Sequence, residues 1–107
     1  MDDMQRMAQQ DKERSLTFLT EEEYWNLPYY GRWLLDWKAR WQPKTCRLMK
    51  EEGELAEYLT QAGENITEFL GDNYNTLGLS GGLEIVRDMY FGEPEPDADR
   101  YWGIPED

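Results

Sequence analysis

Apolar residues recur at three- and four-residue steps through the middle of the chain. Leu55, Tyr58, Leu59, Ala62, Ile66, Phe69 and Leu70 follow this spacing, which predicts a long amphipathic helix. Gly63 and Gly71 interrupt the run, and each weakens a helix by about 1 kcal/mol relative to Ala. The pattern therefore also allows two helices with a joint near Gly63-Glu64-Asn65. Upstream, Trp33, Trp37 and Trp41 stand at i, i+4 and i+8, so they share one face of a helix expected over Gly31 to Gln42. The expected core is Trp33, Trp37, Leu55, Leu59, Ile66, Phe69 and Leu70. An exposed Trp platform for bases or a partner helix is the alternative reading of the stripe.

Local signals set the boundaries. Thr20 and Glu23 form a capping-box pattern. They start a short helix that runs through Asn26 and stops before Pro28. Pro43 suits the first turn of a further helix carrying Cys46, Leu48 and Met49, and Gly53 marks its end. Gly78 to Gly82 reads as a loop. Ile85, Val86, Met89 and Tyr90 then give a short helical face within Leu83 to Phe91. Residues 1–15 read as a flexible lead, a frayed helix or a disordered segment. Glu93-Pro94-Glu95-Pro96-Asp97 cannot continue a helix, so 92–107 reads as a flexible acidic tail with an aromatic pair, Tyr101 and Trp102. The expected fold is all-α: one small helical bundle, or helical hairpins, over 16–91. No internal repeat is visible.

Charge changes this picture from a fold to a surface. From Met1 to Lys50, nine Lys/Arg accompany eight Asp/Glu; from Glu51 to Asp107, two accompany fifteen. The net charge of −12 therefore lies in the second half. Arg32, Lys38, Arg40, Lys44, Arg47 and Lys50 form a basic stretch that holds one acid, Asp36. The 107 residues suffice for one modest core. Aromatics at 14% argue against a disordered acidic chain. One cysteine excludes an internal disulfide and fits a reducing compartment. No apolar run approaches the roughly 20 residues of a membrane span, and the first ten residues lack a signal core. A cytoplasmic protein is expected.

Candidate chemistry is sparse. The chain has no histidine, which removes the commonest general base and metal ligand. Cys46 has no catalytic partner and no second thiolate for zinc. Gly78-Leu79-Ser80-Gly81-Gly82 lacks the ending of a phosphate loop, and Asp72-Asn73-Tyr74-Asn75 fails the calcium-loop pattern. No enzyme activity, cofactor or metal is expected. What remains is binding. Glu57, Glu64 and Glu68, with Glu54 and Asp72, fall along one flank of the long helix. They present carboxylates at intervals near those of phosphates, which a basic nucleic-acid channel would attract. The basic stretch could bind phosphates, but it lies beside a polyanionic half, which favours internal pairing and no direct binding of nucleic acid.

One segment resembles a known family. Tyr30-Gly31-Arg32, then Pro43, Gly53-Glu54-Leu55 and Tyr58-Leu59 resemble the transposon-encoded TnpV family of Firmicutes mobile elements. The family pattern is approximately Y-G-R, an aromatic and basic helix, H-R-P, a Leu-rich turn and G-x-L-x-x-x-L. The likeness covers about Tyr30 to Leu59. Trp41-Gln42 stands where the family has His-Arg, and Met49-Lys50-Glu51 replaces the Leu-rich turn. The resemblance carries no catalytic residues; it implies a setting in transposons, conjugative elements or prophages.

Three functional readings follow. The first is an inhibitory protein of a mobile element, a nucleic-acid mimic acting through Glu54, Glu57, Glu64, Glu68 and Asp72. Its partner would be a basic nucleic-acid-handling protein such as a CRISPR effector nuclease, whose arginines read a short duplex motif. The second is a transposon or recombinase accessory factor that binds DNA or a recombinase through Arg32 to Lys50. The third is a small structural scaffold whose charge keeps it soluble. Oligomeric state stays open in all three.

Overall fold

The computed structural model describes residues 10–104, and every regular element among them is a helix. In chain order these are α1 (residues 10–15), α2 (Glu21–Asn26), α3 (Tyr29–Trp41), α4 (Pro43–Glu51), α5 (Leu55–Asp72), α6 (Tyr74–Tyr90) and α7 (Ala98–Tyr101). The chain is an all-α bundle. The capping box is present as the sequence predicts: Glu23 N donates to Thr20 Oγ1 at 3.1 Å, and Thr20 N donates to the Glu23 carboxylate at 3.0 Å. No described helix is long and apolar enough to cross a membrane.

The centre of the fold is the crossing of α3 and α5. Leu34, Leu35 and Ala39 of α3 meet Leu55, Leu59 and Ala62 of α5, all nearly inaccessible to water. Phe18, Leu19, Tyr24 and Leu27 close this core from the N-terminal side. A second cluster, Ile66, Leu70 and Val86, joins α5 to α6. Burying a Leu or Ile side chain contributes about 1.5–3 kcal/mol, and α5 supplies such residues to both clusters: Leu55 and Leu59 to the first, Ile66 and Leu70 to the second.

One expectation about helices holds and another needs correction. First, α5 runs unbroken through Gly63. A Cβ at Gly63 would lie 2.7 Å from Gly31 N, so the glycine serves the helix crossing and does not mark a joint. Second, the expected loop at Gly78 to Gly82 shrinks to one residue. Gly78 alone leaves helical geometry, with φ 70° and ψ 175°, and kinks α6. Gly82 is helical and buried, pressed on Leu70.

The expected core needs correction as well. Leu55, Leu59, Ile66 and Leu70 are buried, and Phe69, Trp33 and Trp37 are half-buried; Phe69 and Trp33 pack against the core clusters, whereas Trp37 rests on Phe91. The buried face of α3 is Gly31, Leu34, Leu35, Lys38 and Ala39. It is rotated away from the Trp stripe because the close approach to α5 leaves no room for indoles.

Residues 92–104 are docked, in contrast to the tail expected there. Glu95 N donates to Trp41 O at 2.7 Å, and Gln42 Nε2 donates to the carbonyls of Phe91 and Glu93 at 3.0 and 2.8 Å. Trp102 Nε1 donates to Ala39 O at 2.9 Å, and its ring packs edge-on to Phe18. Ala98 is buried. The composition of the segment conceals this docking because its acids find cations on α3 and α4. Of the expected flexible lead, residues 10–15 are helical and Ser15 is buried; the rest of the lead and residues 105–107 lie outside the described residues.

Candidate functional site

The five carboxylates singled out from the sequence share one flank of α5. Successive residues turn by about 100° at 3.6 residues per turn, so Glu57, Glu64, Glu68 and Asp72 fall within roughly 80° of the circumference, opposite the buried face. All four are exposed, and exposed Glu54 precedes them at the N-cap position. From Glu57 to Asp72 the line extends roughly 22 Å at 1.5 Å per residue. None of the five forms an ion pair among the described residues; the acids that do are Asp11, Glu21, Glu51, Asp97 and Asp99. The α5 flank therefore carries charge that nothing within the described fold neutralises.

The basic stretch is used internally. Arg32 Nη1 donates to Leu27 O at 2.6 Å and its guanidinium lies over the Trp25 ring. Lys38 is buried, donates to Gln42 Oε1 at 3.0 Å, and is pushed below the ordinary lysine pKa by burial. Arg40 pairs with Asp99 at 2.6 Å and stacks on Trp41. Lys44 pairs with Asp97, whose carboxyl is held below its usual range by that hydrogen bond. Arg47 reaches Glu51 at 3.9 Å, and Lys50 donates to Thr17 O at 3.3 Å. Three of these six bases thus pair with acids of the second half.

Glu95 completes this arrangement. Gln42 gives α4 no side-chain cap. The Glu95 carboxylate instead accepts from Lys44 N at 3.0 Å, Thr45 N at 3.1 Å and Thr45 Oγ1 at 2.8 Å. A negative group on the first free N–H groups of a helix is favourable on both hydrogen-bond and dipole grounds.

A second feature was only half visible in the sequence. Trp33, Trp37, Trp41, Asp36 and Arg40 of α3, with Arg87, Phe91 and Asp11, line an open groove of about 570 Å³. Trp37 stacks on Phe91 with ring centroids 4.4 Å apart. The Trp spacing gave the stripe, but Phe91, Arg87 and Asp11 come from distant elements. Asp36 accepts from Ser15 Oγ at 2.6 Å and from the Tyr24 hydroxyl at 3.2 Å. Burial outweighs these bonds and raises its pKa. Cys46 is buried on the inner face of α4 with its thiol pushed up to about 12 by burial; such a thiol is a poor nucleophile. Among the described residues no three His, Cys, Asp or Glu side chains converge as a metal site.

No family model, curated protein or solved structure matches the chain.

Proposed function

We propose that the chain is a non-enzymatic inhibitory binding protein whose acidic α5 flank occupies the basic nucleic-acid channel of another protein. One observation carries the reading: an exposed line of carboxylates, Glu57, Glu64, Glu68 and Asp72, without ion pairs among the described residues. Glu64, Glu68 and Asp72 repeat at four-residue steps, about 6 Å of axis each. A helix holds the backbone positions of these charges fixed before binding, so a polycationic channel has only their side chains left to order. The likeness of Tyr30 to Leu59 to the TnpV family suggests the setting of a mobile element, and a CRISPR effector nuclease is the most concrete partner. The internal pairing of Arg40, Lys44 and Arg47 weighs against the accessory-factor reading.

The test is DNA cleavage by candidate effectors with wild-type protein and with Glu57, Glu64, Glu68 and Asp72 all changed to Lys. The wild type should inhibit, with association slowing as salt rises. The charge-reversed protein should keep its helicity and lose inhibition. Equal inhibition by both would remove this surface from the mechanism. Sub-micromolar binding of duplex DNA by the wild type, weakening with salt, would favour the accessory-factor reading instead.

A further inference from the structure

We propose that the groove between α3 and α6 binds a mononucleotide-type ligand: one planar base carrying one phosphate. This site is separate from the acidic flank and does not depend on it.

The walls supply flat apolar surface. Trp33, Trp37, Trp41 and Phe91 line the groove; Trp37 and Phe91 stack on each other and Arg40 covers one face of Trp41, so a planar ring would stack on the indole surface left facing the groove, at roughly 1–3 kcal/mol per base. Its volume, about 570 Å³, lies in the range of small-molecule sites, on the order of 300–1,000 Å³.

The polar groups select what the ring must carry. Trp102 donates its indole N–H to Ala39 O, but the indoles of Trp33, Trp37 and Trp41 make no hydrogen bond among the described residues. None of the three N–H groups is a buried orphan. Indole N–H and guanidinium are donors only. Arg87 is exposed and has no ion pair among the described residues. Of the two acids, Asp11 is paired with Arg14. Asp36 spends part of its acceptor capacity on Ser15 and Tyr24. A carboxylate offers about four lone-pair sites, so Asp36 can still accept from a ring amino group. The groove thus offers donors for a phosphate at Arg87 and an acceptor for an exocyclic amine at Asp36. A nucleotide whose base carries an exocyclic amine presents both groups, and adenosine monophosphate is the probe chosen for the class. A polynucleotide does not fit as well, because the chain's net charge of −12 repels a long polyanion.

The experiment is titration of the full chain with adenosine monophosphate, followed by the indole N–H resonances of Trp33, Trp37 and Trp41 in amide-type NMR spectra. The expected result is saturable movement of these signals by about 10 mM ligand, the weak end of specific binding. Adenosine should bind roughly tenfold more weakly, as should adenosine monophosphate to Arg87→Gln, because each loses a charge-assisted hydrogen bond. Arg87 lies outside the core, so the variant should melt with the wild type; Arg87→Lys should recover part of the affinity. Static indole signals up to that concentration would overturn the proposal. So would equal affinity in Arg87→Gln, indole shifts with inorganic phosphate alone, or tighter binding of single-stranded oligoadenylate than of the mononucleotide.

Discussion

Gly31 and Gly63 touch backbone to backbone where α3 crosses α5. A Cβ built on Gly63 would stand 2.7 Å from Gly31 N and 3.1 Å from Gly31 Cα, and one built on Gly31 would stand 2.7 Å from Leu59 O. These neighbours are main-chain atoms, so neither helix can yield by rotating a side chain. The contact fixes the depth at which Leu34, Leu35, Leu55 and Leu59 meet.

Gly63→Ala should therefore destabilise the protein although Ala is the better helix former. The clash belongs with overpacking, which costs about 1–3 kcal/mol, and outweighs a propensity gain of about 1 kcal/mol. Gly71 provides the contrast. It is exposed in the same helix, and a Cβ there meets nothing within 4 Å. Gly71→Ala should stabilise by up to about 1 kcal/mol. Urea titration of both variants checks the opposite signs; the same sign in both would discount the crossing.

Removing the Glu95 carboxylate should loosen both α4 and the segment it comes from. Glu95→Ala deprives two backbone amides and one hydroxyl of their acceptor. Loss of a cap costs about 0.5–2 kcal/mol. Hydrogen exchange should quicken at the Lys44 and Thr45 amides, and Trp102 fluorescence should shift toward that of exposed indole. Unchanged exchange at both amides would show that this cap contributes nothing.

The parts legible in the sequence were those governed by local periodicity. α5 was readable because one apolar face runs the length of an 18-residue helix, and the carboxylates at Glu57, Glu64, Glu68 and Asp72 are the complement of that face. The alternative of a joint at Gly63 arose because propensity is local, while the close contact that demands glycine lies 32 residues away at Gly31. The Trp stripe shows a different limit. Spacing proves that Trp33, Trp37 and Trp41 share a face but not that this face turns inward. Residues 92–104 were misread because Pro and acidic composition describe the segment alone. Its order depends on Arg40, Lys44 and the open end of α4.

The orientation of α3 sets different penalties for two substitutions that the spacing alone would rank as equals. Leu59 is fully buried, so Leu59→Ala should cost about 2–5 kcal/mol. Trp37 is half-buried and rests on Phe91. Trp37→Ala should cost less, roughly 1–2 kcal/mol, the stacking part being about 0.5–1.5 kcal/mol. Denaturant midpoints measured side by side decide the order. A larger loss for Trp37 than for Leu59 would place the stripe in the core after all.

Stability should fall as pH rises above about 9, and Cys46 should account for part of the slope. Burial raises the Cys46 thiol from 9.0 to about 12. Burial, then the neighbouring Asp36, raises the Tyr24 hydroxyl from 10.0 to about 12. For both groups the folded state holds the proton more tightly than the unfolded chain does. Their stabilisation is complete below the unfolded pKa and is lost as pH climbs through the interval to about 12. Lys38 acts in the opposite sense. Burial lowers its pKa, so the cost of its buried ammonium is relieved as pH rises toward the lysine range. Asp36, raised by burial, acts on the acid side, where falling pH stabilises the fold. Urea midpoints of the wild type, Cys46→Ala and Lys38→Met, taken from about pH 7 to about pH 11, separate these contributions. Cys46→Ala should start lower because it leaves a cavity, yet decline less steeply with pH. Lys38→Met should decline more steeply, because it lacks the opposing term. Parallel curves for all three proteins would rule out both buried groups as the source of the pH dependence.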